Sequence, residues 1–226
     1  MDAREALGLI AAGRTLSRDE ARSAMASIMA GEATPAQLGA FLAALHIRGE
    51  TVDEIAGCAA ALRDVAVRVI VSGEAIDIVG TGGDRSNSFN ISTVSSFVAA
   101  AAGGRVAKHG NRAATSACGS ADVLEALGVR IDLGPEGVAR CVEEARVGFM
   151  FAPRYHPAMR HAGPVRRELG VPTVFNFLGP MANPARVRRQ VLGVSDPAMA
   201  DKVLDVLAAP APSMPSSFTA TTASTS

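Results

Sequence analysis

Near Val69 the chain changes period. Before that point apolar residues recur every three or four positions. After it, short β-branched runs alternate with helical stretches. Ala75 to Val79 (Ala75-Ile76-Asp77-Ile78-Val79) reads as a buried strand. Helical patterns follow over Ser92 to Ala102, Ser120 to Leu127 and Pro135 to Arg146. Strand patterns fall at Arg105 to Lys108, Val129 to Leu133 and Val147 to Phe151. Such alternation dictates an α/β architecture with a mainly parallel sheet. Sheets of that kind bind ligands beyond the carboxyl ends of their strands. Two polar loops, 80–92 and 108–120, lie at such ends.

The first 69 residues read as a small helical domain. Ser17-Arg18-Asp19-Glu20, Thr34-Pro35-Ala36-Gln37 and Thr51-Val52-Asp53-Glu54 are capping boxes, in which the hydroxyl accepts an early backbone N–H and the acid or amide reaches back. Ala21, Met25 and Ile28, then Leu38, Phe41, Leu42 and Leu45, then Ile55 and Leu62 follow at helical spacing, and Gly31 and Gly49 supply stops. We expect a helical domain over 1–69, an α/β domain over 70–207, and a disordered tail over 208–226. The tail is almost entirely Ala, Pro, Ser and Thr.

Composition excludes several classes. Lys and Arg together number 22, as do Asp and Glu, so the formal net charge is zero. That argues against a nucleic-acid glove or a broad membrane-binding face. No apolar run reaches the roughly 20 residues of a membrane-spanning helix. The N-terminus lacks the basic-then-apolar order of a signal peptide. Three cysteines without metal-ligand spacing fit a reduced, cytoplasmic protein.

The two loops carry the chemistry. Gly80-Thr81-Gly82-Gly83-Asp84 lets the backbone turn tightly, and its consecutive N–H groups can form an anion nest. It is neither the dinucleotide fingerprint nor a nucleotide-binding P-loop, and by itself it could be only a tight strand–helix turn. Ser88, Asn90, Ser92 and Thr93 then crowd polar groups before a helix start, a setting that favours phosphate or a Mg²⁺ ligand. Ser92 or Thr93 could equally be a simple N-cap. Lys108-His109-Gly110-Asn111-Arg112, then Thr115-Ser116, adds two cations, one a point charge and one a planar fork.

These strings, with Cys118-Gly119-Ser120-Ala121-Asp122, Phe151-Ala152-Pro153, His156-Pro157, Pro164-Val165-Arg166, Leu178-Gly179-Pro180 and Asn183-Pro184, resemble the anthranilate phosphoribosyltransferases over residues 1 to about 207. The resemblance implies a phosphoribosyltransferase and class II nucleoside phosphorylase fold. It implies a homodimer formed through the helical domain and an activity in tryptophan biosynthesis. In that reaction phosphoribose passes from 5-phosphoribosyl pyrophosphate to the amine of anthranilate, with Mg²⁺. A pyrimidine nucleoside phosphorylase and a non-catalytic ligand-binding remnant are the alternatives.

Carried over by position, Gly80, Gly83, Asp84, Ser88, Asn90, Ile91, Ser92 and Thr93 would hold the donor. Lys108, His109, Gly110, Asn111, Arg112, Ala113, Ala114, Thr115, Ser116 and Ser120 would cover its phosphates and ribose. Gly80, Asn111, His156 and Arg166 would contact anthranilate, and Ser92 would ligate Mg²⁺. No protein nucleophile is implied, since the amine itself attacks.

The resemblance stops near Leu207, where the family continues with a Val-Val-His-Gly strand and a Mg²⁺-binding Asp-Glu pair. Written with C- or G-ending codons, Met214 to Ser226 contains, one base out of frame, Ala-Leu-Val-Val-His-Gly-His-Asp-Gly-Leu-Asp-Glu. We therefore expect a frameshift between Leu207 and Met214, and weak or absent turnover by the chain as written.

Overall fold

Each of the first four helices starts where a side chain caps it. The structure, a computed structural model, describes residues 1–82, 89–113 and 118–208. Helices α1 (Ala3–Ala11), α2 (Arg18–Ala30), α3 (Pro35–Arg48) and α4 (Val52–Val65) open on reciprocal capping boxes at Asp2–Glu5, Ser17–Glu20, Thr34–Gln37 and Thr51–Glu54. Gly31 and Gly49, both at positive φ, end α2 and α3. The apolar stripes meet in one core in which Met25, Ile28, Phe41, Leu42, Leu45 and Ile55 are buried. Burying each such side chain contributes about 1.5–3 kcal/mol. The core extends beyond the bundle to Val165, Phe175, Leu178 and Val203. Helices α2 and α4 cross at Gly57, where a Cβ would sit 2.2 Å from the Arg18 carbonyl.

Strands β1 (Ile76–Gly80), β2 (Val106–Gly110), β3 (Val147–Phe151) and β4 (Arg189–Gly193) form a sheet in the order β3-β2-β1-β4, and all three pairings are parallel. Between them lie α5 (Ile91–Ala101), α6 (Ser120–Ala126), α7 (Pro135–Glu144), α8 (Ala152–Tyr155), α9 (Gly163–Leu169) and α10 (Phe175–Met181), and α11 (Pro197–Ala208) follows β4. Alternating side chains divide the sheet into two faces. Ala107 and Met150 pack with Val138 and Val142 of α7, on the side where Asp77 meets Asn183 and His109 meets His156. Phe149 packs on α6, and Lys108 reaches α5.

Three sequence expectations need correction. Val129 to Leu133 is not a strand. The Val129 N–H closes α6 on the Leu124 carbonyl at 2.9 Å, and the Leu133 carbonyl accepts the Tyr155 hydroxyl at 2.8 Å. Groups that would join a ladder are thus engaged elsewhere. The N-cap of α5 is Asn90, not Ser92 or Thr93. Strand β4, an edge strand with alternating exposure, has no counterpart in the sequence reading. The expected tail, apart from Ala208 at the end of α11, lies outside the described residues.

Helix α5 is lightly covered. Ile91, Val94 and Val98 recur at helical spacing and are exposed, as are Phe89 and Phe97. Val191, on β4, is exposed too.

Candidate active site

Strand β1 sits where the strand order reverses, with β2 on one side and β4 on the other. That reversal point is where open α/β sheets hold ligands. The segments leaving β1 and β4 are tied together there. The Thr81 N–H donates to the Gly193 carbonyl at 2.9 Å, the Ser195 N–H to Thr81 Oγ1 at 3.2 Å, and the Ser195 hydroxyl to the Gly82 carbonyl at 2.8 Å. Asn90 makes no side-chain cap, and in the first turn of α5 the Ile91 and Thr93 N–H groups donate to the Phe89 and Asn90 carbonyls at 2.7 and 3.0 Å.

Lys108, buried in β2, donates to the Ile78 carbonyl at 2.6 Å and to Ser92 Oγ at 3.2 Å. Burial pushes its ammonium down to about 8, against the pull of Asp77. Asp77 itself is fully buried in β1. Burial raises its carboxyl to about 6, opposed first by Asn183, then by Lys108 and the His109 N–H. The Asp77 carboxylate accepts the His109 N–H at 3.3 Å and Asn183 Nδ2 at 2.7 Å.

His109 and His156 stand with ring centroids 5.0 Å apart. His109 Nδ1 meets the Gly179 carbonyl at 3.2 Å, while His109 Nε2 and both ring nitrogens of His156 are buried without a hydrogen-bond partner. Burial holds His109 at about 3, reinforced by His156. Burial also holds His156 at about 4, and the Ala182 carbonyl opposes that shift without reaching hydrogen-bond geometry. Both rings are therefore neutral at pH 7 and poor proton acceptors. Arg166 lies over the Phe175 ring at 4.9 Å, at the start of the helix that carries Gly179, and burial lowers its pKa.

The second loop folds on itself. The Asn111 carbonyl accepts the Ser120 hydroxyl at 3.1 Å and the Ala121 N–H at 3.2 Å. Gly110 is required beside it, because a Cβ would lie 2.3 Å from Ser120 Oγ. Arg112 is engaged within the protein: Nη1 reaches Asp122 at 2.9 Å and Glu125 at 2.5 Å, and the guanidinium lies 5.5 Å from the Phe151 ring centre. Asp122 also accepts the Ala113 and Gly119 N–H groups at 3.1 and 2.8 Å.

Of the residues singled out in the sequence, Ser92 meets Lys108, His109 meets His156, and Gly110 and Asn111 meet Ser120. Gly80 ends β1 at the tied turn, and Thr93 lies buried with its hydroxyl unpartnered. Gly83, Asp84, Ser88, Ala114, Thr115 and Ser116 lie outside the described residues. The sequence reading missed Asp77, whose signal was a lone acid in an apolar strand. It also assigned no role to Asn183, Gln190 or Ser195. Among the described residues no three His, Cys, Asp or Glu side chains converge to hold a metal. Mg²⁺ prefers carboxylate and phosphate oxygens. Ser92 Oγ already accepts an ammonium, so the described residues do not by themselves make a Mg²⁺ site.

Two family models match. Residues 4–66 match the glycosyl transferase family's helical bundle domain, and residues 72–214 match its a/b domain. The chain belongs to this glycosyl transferase family. Within the family it is 62% identical over 203 residues to an anthranilate phosphoribosyltransferase of Chloroflexus aurantiacus, covering 90% of this chain and 60% of the relative. Among solved structures, the Thermus thermophilus anthranilate phosphoribosyltransferase superposes with a TM-score of 0.86 at 48% identity, over 92% of this chain and 62% of that one. The Saccharomyces cerevisiae enzyme in complex with PRPP and Mg gives 0.84 at 28% identity, over 91% and 62%. The chain thus spans about 60% of the length of the curated relatives it matches.

Proposed function

We propose that this chain carries the donor loop and acceptor wall of a transferase moving phosphoribose from 5-phosphoribosyl pyrophosphate to the amine of anthranilate. The products are N-(5-phosphoribosyl)anthranilate and pyrophosphate. The observation that carries this reading is the Lys108 ammonium held on Ser92 Oγ at the first turn of α5, beside the tied turn after β1. A cation and a hydroxyl at a helix N-terminus suit a phosphorylated donor. The names of the relatives, and the PRPP and Mg in the yeast structure, support the same donor.

In the reaction the C1–O bond to pyrophosphate breaks as the aromatic amine attacks C1, and the amine then releases a proton to solvent. Lys108 and the positive N-terminal end of α5 stabilise charge on the departing pyrophosphate. His109 and His156 are neutral and serve as walls rather than bases, His156 on the acceptor side. Arg166 supplies a fork suited to the anthranilate carboxylate. Mg²⁺ held mainly by the donor phosphates would supply further charge neutralisation there, since the described residues do not hold it by themselves. Holding donor and acceptor in line provides much of the rate.

We also propose a homodimer formed through the helical domain of residues 1–69, and a cytoplasmic setting. Among the described residues no helix is long and apolar enough to cross a membrane.

Following anthranilate fluorescence with 5-phosphoribosyl pyrophosphate and Mg²⁺ tests the reaction, and a thermal shift with the donor alone tests binding. Donor-dependent stabilisation is the expected result, with at most weak loss of anthranilate by the chain as written and none in Arg166→Ala. A chain that the donor neither stabilises nor turns over would overturn the proposal. Light scattering after size exclusion tests the dimer.

A further inference from the structure

At the end of the sheet opposite the tied turn, the starts of β1 and β4 border a cleft of about 310 Å³. Val71, Ala75 and Val187 contribute apolar surface to it, and Arg186, Arg188 and Arg189 bring three guanidinium groups. One carboxylate, Glu74, accompanies them and pairs with Arg189 at 3.1 Å. Three arginines and one glutamate thus line an apolar floor of small-molecule size.

The wall on the Arg186 side is built at a cost. Arg186 has φ 50°, a left-handed conformation that non-glycine residues rarely hold. Its N–H closes a turn on the Asn183 carbonyl at 2.9 Å, and its Nη2 donates to the Arg63 carbonyl at 3.1 Å. This brings two like charges together. Burial first, and then Arg186, lower the pKa of Arg63.

We propose that this cleft binds a small organic carboxylate, its apolar body against Val71, Ala75 and Val187 and its carboxylate on the guanidinium forks. Planar forks match a carboxylate with two parallel N–H···O bonds. The apolar floor favours a carboxylate on a hydrocarbon body over an inorganic anion. The site is separate from the one assigned to the transfer reaction and does not depend on that assignment.

Benzoate is the probe, titrated against the 226-residue chain by ligand-observed NMR, with thermal unfolding as the control for folding. Saturable binding is expected, and Arg188→Gln with Arg189→Gln should weaken it at least about tenfold. Arg166→Ala should leave this binding in place, which separates it from an aromatic-acid site near Phe175. Glu74→Gln releases Arg189 from its ion pair and should tighten binding by about two- to fivefold. That variant keeps the test decisive if the double variant fails to fold. Absence of saturable binding would overturn the proposal, as would binding that Arg166→Ala abolishes and the cleft variants leave unchanged.

Discussion

Asn183 Nδ2 donates to Asp77 Oδ2 at 2.7 Å, joining two buried side chains 106 residues apart. The same nitrogen donates to the Ala107 carbonyl at 3.0 Å, and Asn183 Oδ1 accepts the Ala185 N–H at 2.8 Å. One amide thus fixes the 183–186 turn against the centre of the sheet. Through Asp77 it also holds the His109 backbone where the second loop begins.

Replacing Asn183 with Ala leaves the Asp77 carboxylate without its shortest partner. Stripping a partner from a buried charged acceptor costs about 2–4 kcal/mol. The folded-state pKa of Asp77, already about 6, rises further. An acid whose pKa is raised on folding loses stabilising effect as pH rises from its unfolded value to its folded one. Asn183→Ala should therefore unfold at lower urea concentration than the wild type, with the difference wider at pH 7 than at pH 4. Equal midpoints at pH 7 would contradict this account.

The histidine pair works in the opposite sense. Both folded-state values lie below 6.5, at about 3 and about 4, so the unfolded chain takes up protons first as pH falls. Stability contributed by the neutral rings is complete above about pH 6.5 and is lost from there down to about pH 3. His156→Leu removes two unpartnered buried nitrogens, and at pH 7 it should be within about 1 kcal/mol of the wild type or more stable. Its melting temperature should fall less steeply between pH 6.5 and 4. Scanning calorimetry across that range reads both effects.

Gly57→Ala tests the crossing of α2 and α4. Alanine favours a helix over glycine by up to about 1 kcal/mol. Here the added Cβ would stand 2.2 Å from the Arg18 carbonyl and 2.9 Å from Ala21 Cβ. The helices must separate, and overpacking of this kind costs about 1–3 kcal/mol or more. Net destabilisation in denaturant titrations is the expected outcome, against the propensity gain.

Lys108→Met removes a buried ammonium while keeping the aliphatic stem. Since burial disfavours that charge, the free protein should keep most of its stability. Under the proposed function, stabilisation by the phosphorylated donor should largely disappear. A wild-type gain of about 2.7 kcal/mol at a hundred times Kd sets the scale. Thermal shifts with and without the donor make the comparison.

The helical bundle was legible because its signals are local. Thr34 and Gln37, for instance, cap α3 whatever surrounds them. The strands β1, β2 and β3 announced themselves by β-branched or apolar runs between helices. Val129 to Leu133 shares that pattern and is not a strand, because pairing is decided by distant partners. Strand β4 runs Arg189, Gln190, Val191 and Leu192, two polar residues and then two apolar ones, so its alternating exposure leaves no period-two signal for a single-sequence reading. The site divides in the same way. Glycine and cation strings mark the loops. The buried partnership of Asp77 with Asn183 depends on folding the chain back on itself.

Strand β1 pairs residue by residue with β4, Ile76 against Arg189 through Gly80 against Gly193. A ribosome adding about 5–20 residues per second must therefore run for roughly 6–23 s after Ile76 emerges before its neighbour on that side exists. The centre of the sheet, including the acid at Asp77, spends that interval half-paired. Synthesis speed across residues 81–188 sets how long that side of β1 stays open to the wrong strand.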